Sequence, residues 1–234
     1  MIWLGIDTSN APLSVALVED GRILVEQTSS LKKTHSIQAM PAVEQILAAA
    51  NLRPADLAAI AVSEGPGSYT GVRIGVTLAK TLSWTLGIPL VGVSSLEVIA
   101  ANAVPFEGVV CPLFDARRKN VYCGLYKWKN ERLHRIWEDR HGSLDELLSD
   151  LSFIHQPVLF IGTDVALYRT AIRESLGDQA VFAPFPQQLP RASQLIQLAE
   201  QRLPVTDVHD FVPTYRRIAE AEANWLRQQE AQND

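Results

Sequence analysis

Apolar positions along the chain switch repeatedly between the period of a strand and that of a helix. Ile2–Ile6 is a short apolar run that closes on Asp7. After a polar loop, Leu13–Val18 is a second run, and Asp20-Gly21 separates it from Ile23–Val25, the pattern of a hairpin with a tight turn. From Thr34, a candidate N-cap, Ile37, Met40, Val43, Leu47 and Ala50 recur at helical spacing. Pro41 lies inside that helix and is expected to cost it a hydrogen bond and bend it. Residues 57–63 read as a strand and residues 70–86 as a helix stopped by Gly87 and Pro89. Residues 90–95 then read as a strand and 96–103 as a short helix.

The order then starts again. Residues 108–139 give an apolar run, an aspartate, a polar loop, a strand, a charged turn and a further strand. Asp7 is followed seven residues later by Ser14, and Asp115 seven residues later by Tyr122. The matched order argues for an internal duplication. Residues 143–151 read as helix, 158–164 as strand and 192–203 as helix, and 212–229 close the chain as a helix or a frayed tail. Strands alternating with helices, twice over, predict α/β units with mixed sheets.

Composition narrows the partners. The chain has 234 residues, 47% hydrophobic and 20% charged, which suits one large core or two modest ones. Its net charge of −5 gives no general attraction to nucleic acid or membrane. Cys111 and Cys123 have neither zinc spacing nor a disulfide pattern, and read as buried thiols. No apolar stretch approaches the ~20 residues of a membrane span. The first residues lack the basic and apolar regions of a signal peptide, so a cytoplasmic location is expected.

Residues 64–75, "EGPGSYTGVRIG", are the densest glycine stretch. They lack the G-x-x-x-x-G-K-[ST] phosphate loop, and Thr70 stands where a dinucleotide fingerprint needs its last glycine. Gly71, Gly75, Ala79, Ser83 and Gly87 recur every fourth residue, leaving one helix face nearly bare. Such a face permits close packing inside the chain, close packing on a partner, or an anion at the helix N-terminus. Asp7 and Asp115 end strands beside tight loops; each can cap its own loop or hold magnesium near a phosphate. The five histidines show no i, i+4 pair, and no G-x-S-x-G elbow is present. Between Asp115 and Arg140 eight Lys/Arg face four Asp/Glu, with Tyr122, Tyr126, Trp128 and Trp137 interleaved. That stretch is either a solvated hairpin or an RNA contact.

Residues 5–21, 34–50, 63–75 and 115–126 together resemble the bacterial TsaB family, over nearly all of residues 1–126. The resemblance implies two RNase-H-like lobes of the actin-like ATPase superfamily, residues 1–105 and 106–213, with 214–234 returning to the first. It implies a non-catalytic subunit of the complex that transfers threonylcarbamoyl to adenosine 37 of ANN-reading tRNAs. The implied partners are a metal-bearing TsaD-type synthase, a small TsaE-type ATPase and tRNA through the complex, with self-association when the chain is alone. The resemblance implies no tightly bound cofactor, with ATP or ADP at the interface of the assembled complex. Where the TsaD type carries a His-x-x-x-His metal pair, this chain has Ser95 and Ile99, which cannot serve as imidazole ligands, so no metal is expected. Ser9 stands where related kinases have a phosphate-loop glycine, leaving Asp7, Thr8, Ser9 and Asp115 as a residual phosphate loop. The family's helical contact implies a partner interface of Met40, Val43, Leu47, Gly71, Gly75 and Ala79. The rival expectation is a kinase, ATPase or peptidase acting alone.

Overall fold

The computed structural model describes residues 1–31, 34–103 and 105–216. β1 (Ile2–Asp7), β2 (Leu13–Glu19) and β3 (Arg22–Ser29) form an antiparallel meander. The β2–β3 turn places Asp20 and Gly21 at φ 48° and 78°, the left-handed pair that a two-residue hairpin needs. α1 (His35–Ala49) leads to β4 (Ala59–Ser63), and α2 (Tyr69–Leu86) to β5 (Leu90–Val93). Both strands lie parallel to β1, giving the sheet order β3-β2-β1-β4-β5. α3 (Ser95–Ala101) ends this first unit.

The second unit repeats the plan. β6 (Val109–Asp115), β7 (Asn120–Lys129) and β8 (Arg132–Ser143) are the meander. α4 (Leu144–Ser152), β9 (Val158–Ile161), α5 (Val165–Leu176), β10 (Ala180–Phe182) and α6 (Ala192–Ala199) follow. Its sheet order, β10-β9-β6-β7-β8, is the first order read from the other edge. The duplication expected from the sequence is therefore a duplication of topology. Both sheets are mixed, as the α/β reading requires.

Local chemistry sets the helix limits. Ser68 caps α2 by accepting from Gly71 N at 3.3 Å, and Gly87 ends it at φ 65°. Ser143 and Glu146 form a reciprocal capping box on α4. α1 and α2 bury Val43, Ile46, Val72 and Val76 against one face of the first sheet, with Leu4, Ile6, Ile60 and Val62.

The third helix of each unit crosses over. α6 packs Ala192, Leu195, Ile196 and Ala199 against Ala16, Ala61, Val91 and Val93 of the first sheet. α3 packs Leu96, Ile99 and Ala100 against Val110, Phe114, Tyr126 and Ile161 of the second. This corrects the lobe limits expected at 105 and 213: residues 95–101 cover the second sheet, and the return to the first sheet begins at Ala192, not Thr214. Each sheet needs a second apolar cover, and each unit lends its last helix to the other. Val205 N then donates to Leu90 O at 2.9 Å and Thr214 N to Glu64 O at 2.7 Å, so the closing strap follows the first lobe. The part of the expected returning segment beyond Arg216 lies outside the described residues.

Candidate functional site

Asp7 ends β1 fully buried. Its Oδ1 accepts from Ser9 N at 2.9 Å and Ser9 Oγ at 2.7 Å, and its Oδ2 from Ser63 Oγ at 2.6 Å. Burial pushes the carboxyl above its usual range, partly offset by those three donors. Both oxygens are thus engaged in closing the loop; of the two roles open to Asp7 in the sequence, the structure places it in loop capping.

The glycine face of α2 lies directly on that loop. Ser68 N donates to Ser9 O at 2.7 Å, and Thr8 Oγ1 donates to Gly71 O at 2.7 Å. A Cβ at Gly67 would overlap Ser9 O, one at Gly71 would overlap Thr8 O, and one at Gly75 would overlap Thr8 Oγ1. Ala79 continues the row into the core, fully buried. The bare face is an internal packing surface, and the expectation that Gly71, Gly75 and Ala79 meet a partner is corrected. Val43 and Leu47 are also buried, facing the first sheet rather than a partner. The same contacts occupy the residual phosphate loop: Ser9 N is spent on Asp7 and Ala11 N on Asn10 Oδ1. Phosphate loops work through free backbone N–H groups, and these two already have partners.

Met40 is the exception. It lines a groove of 610 Å³ between α1 and α2, with Ala39, Tyr69, Arg73, Ile74, Thr77 and Leu78. The groove lies on the side of the helix pair turned away from the sheet. Ile37 and Trp84, 72% and 67% exposed, stand on the same two helices.

Asp115 ends β6 as Asp7 ends β1, but is reached by solvent. Its Oδ1 accepts from Arg117 N at 2.9 Å and Tyr168 OH at 2.6 Å, and Arg117 pairs with it at 3.4 Å. Burial and the neighbouring Asp115 raise the Tyr168 hydroxyl above its ordinary value. Asp164 accepts from Asp115 N at 2.9 Å and, across the cleft, from Asn10 Nδ2 at 3.3 Å. Asp115 and Asp164 line an inter-lobe cleft of 720 Å³ with Asn10, and Asp7 is buried out of its lining.

Ser95 and Ile99, which the resemblance equates with a metal pair, have other roles here: Ser95 Oγ accepts from Gly65 N at 3.1 Å, and Ile99 is buried in the second lobe's core. Among the described residues no three His, Cys, Asp or Glu side chains gather as a metal site would require. Glu97 holds Arg202 at 2.6 Å and Arg135 at 2.9 Å. Beside them Asp139, buried, accepts from Tyr126 OH and Ser94 Oγ. This inter-lobe cluster joins residues from 94 to 202, and no sequence spacing announced it. Two of the basic hairpin's cations are paired within the chain: Arg135 by Glu97 and Glu138, and Arg140 by Asp150.

A family model described as "TsaD: tRNA N6-adenosine threonylcarbamoyltransferase" matches residues 22–225. A Bacillus subtilis protein, "tRNA threonylcarbamoyladenosine biosynthesis protein TsaB", is 47% identical over 229 residues, covering 98% of this chain and 100% of that one. The chain belongs to the TsaB family. YeaZ from Pseudomonas aeruginosa shares its fold with a TM-score of 0.75 at 25% identity, over 92% of this chain and 99% of that one. A second P. aeruginosa structure, an uncharacterized protein with similarity to peptidase YeaZ, reaches 0.78 at the same identity and coverage. Among the described residues no helix is long and apolar enough to cross a membrane.

Proposed function

We propose that this chain is a non-catalytic subunit in the biosynthesis of threonylcarbamoyladenosine in tRNA, docking on a metal-bearing TsaD-type synthase through the α1/α2 face. The observation that carries the reading is the groove of Met40, Tyr69, Ile74, Thr77 and Leu78, which offers apolar surface on two helices already fixed from behind by the sheet. A helix pair from a partner fits such a face as a four-helix contact. The buried Asp7 and the occupied loop behind it support a chain that makes no bonds itself. In this reading ATP or ADP sits at the interface of the assembled complex, a small TsaE-type ATPase joins it, and tRNA is bound by the whole. The same face serves a homodimer when the partner is absent, and the complex works in the cytoplasm.

The test is molar mass by light scattering on a sizing column, with the TsaD-type subunit added. Wild type is expected to form a 1:1 complex. Thr77→Arg, on an exposed groove position, is expected to abolish it without lowering the melting temperature. A wild type that ignores the synthase, or a Thr77→Arg chain that binds it unchanged, overturns the docking reading. ATP turnover by the isolated chain would revive the stand-alone kinase.

A further inference from the structure

The turn from β6 to β7 passes through three consecutive left-handed residues: Arg117, Arg118 and Lys119 have φ of 69°, 54° and 61°. Side chains with a Cβ disfavour this conformation, which glycine, asparagine and aspartate normally supply. The Asp20-Gly21 hairpin follows that rule in full, and the Asn130-Glu131 hairpin follows it at its first position only. Here three long cations take the strained positions instead. Strain of this kind persists where the surroundings hold it, and it gathers at functional sites.

The turn forms one lip of the inter-lobe cleft, where the Arg117 side chain is 84% exposed. The facing lip carries Arg216, Tyr69 and Tyr215. The two tyrosine rings lie 5.4 Å apart, and Arg73 fixes them by stacking on Tyr69 at 4.0 Å and donating to Tyr215 OH at 2.6 Å. Four carboxylates are near. Asp115 and Asp164 are held by the contacts given above, Glu138 lies 3.9 Å from Arg216, and burial raises the Glu64 carboxyl, partly offset by the charge of Arg216 among its neighbours. Arg117 and Arg216 are the two cations that line the cleft, and each keeps exposed surface, 84% for the Arg117 side chain and 37% for that of Arg216.

Guanidinium forks suit phosphates, and exposed tyrosines suit unstacked bases. We propose that these two lips are an RNA-contact site, in which a single-stranded RNA segment lays its phosphates on Arg117 and Arg216 and a base against Tyr215, whose ring is backed by Tyr69 at the rim of the α1/α2 groove. The inference rests on the reading of the chain as a subunit acting on tRNA, and it names which surface of this chain meets that RNA. A free nucleotide is the poorer occupant, because the loop at Ser9 and Ala11 has already spent those N–H groups.

Full-length tRNA is titrated by fluorescence anisotropy against the chain alone and against the chain mixed with the TsaD-type subunit, across a salt series, with complex mass read in parallel. Arg117→Gln/Arg216→Gln is expected to weaken tRNA binding about tenfold and to reduce the salt slope by about 1–2. Tyr215→Ala is expected to weaken binding about fivefold with the slope unchanged, since stacking releases no counterions. Lys129→Gln/Arg132→Gln, at the far hairpin turn, leaves both quantities at the wild-type value. The proposal is overturned if the Arg117/Arg216 variant binds tRNA as wild type does, if neither wild-type sample binds tRNA, or if free ATP displaces the RNA. Loss of the 1:1 complex with the RNA result intact would instead defeat the docking reading alone.

Discussion

Substituting Gly71 by alanine separates internal packing from partner packing by the sign of a stability change. At an open helix position the change would stabilise, by up to ~1 kcal/mol of helix propensity. In this structure the new Cβ would stand closer than 3.0 Å to Thr8 O, nearer than real Cβ atoms approach, with Ser68 Cβ at 3.3 Å and His35 Cδ2 at 3.4 Å on other sides. Thr8 O is backbone, and its loop is tied down by Ser68 N to Ser9 O and by the Asp7 contacts. Relief therefore requires α2 to shift, at a typical overpacking cost of ~1–3 kcal/mol. The shift also weakens the Thr8 Oγ1 to Gly71 O bond, for about 1 kcal/mol more. Against the propensity gain, the net is a destabilisation of about 1–3 kcal/mol, which for a chain of this length is a fall of about 3–10 °C in melting temperature. Thermal unfolding followed by circular dichroism reads it. An unchanged or raised melting temperature, with docking on the synthase lost, would refute the internal-packing assignment and return the glycine face to the partner.

Two further outcomes are expected from the buried polar groups. Asp7 has a folded-state pKa above its unfolded one, so its contribution to stability is fully present below the usual carboxylate range and is lost as pH rises through the folded value. Asp7→Asn, which can donate to Ser63 Oγ in place of accepting from it, is expected to keep the fold and flatten that part of the stability–pH curve. Asp7→Ala, which strands Ser9 N, Ser9 Oγ and Ser63 Oγ, is expected to cost ~3 kcal/mol or more. Urea melts from about pH 4 to 8 distinguish them, and parallel slopes for wild type and Asp7→Asn would contradict the assignment. Glu97→Gln removes the shared partner of Arg135 and Arg202, two guanidinium groups about one-third exposed, so the expected loss is only about 1–2 kcal/mol. Amide hydrogen exchange should accelerate in α3 and β8 and stay unchanged in α4; uniform acceleration would mean that the cluster does not join the lobes.

Much of the fold could be read from residue order because its signals are local. Asp20-Gly21 marks one hairpin, Ser143 and Glu146 mark a helix start, and the run Ile2–Asp7 has its counterpart in Val109–Asp115. The fourfold spacing of Gly71, Gly75 and Ala79 correctly announced a close approach. It could not say to what, because the neighbour is Thr8, 63 residues upstream. Val43 and Leu47 went astray for the same reason: helical periodicity identifies an apolar stripe, and a stripe facing a sheet looks like one facing a partner. The groove of Met40 and Thr77 was half legible, since its helices were found and its face was not. The cluster of Glu97, Arg135, Asp139 and Arg202 left no trace in spacing, because tertiary structure alone assembles it.

The exchange of α3 and α6 between the two units bears on how the chain reaches its native state. Residues 1–103 can complete their sheet, but one of its faces stays bare until α6 arrives from about ninety positions further along. Over the same interval Leu96, Ile99 and Ala100 of α3 wait for β6 and β7 to pair before they are covered. Each half builds a core on one face of its sheet, but neither covers both faces by itself, so the second face of the first sheet waits on the C-terminal third of the chain. Two sheets built on one plan are thus expected to unfold in one cooperative transition rather than two. A translating ribosome would release them all at once rather than lobe by lobe.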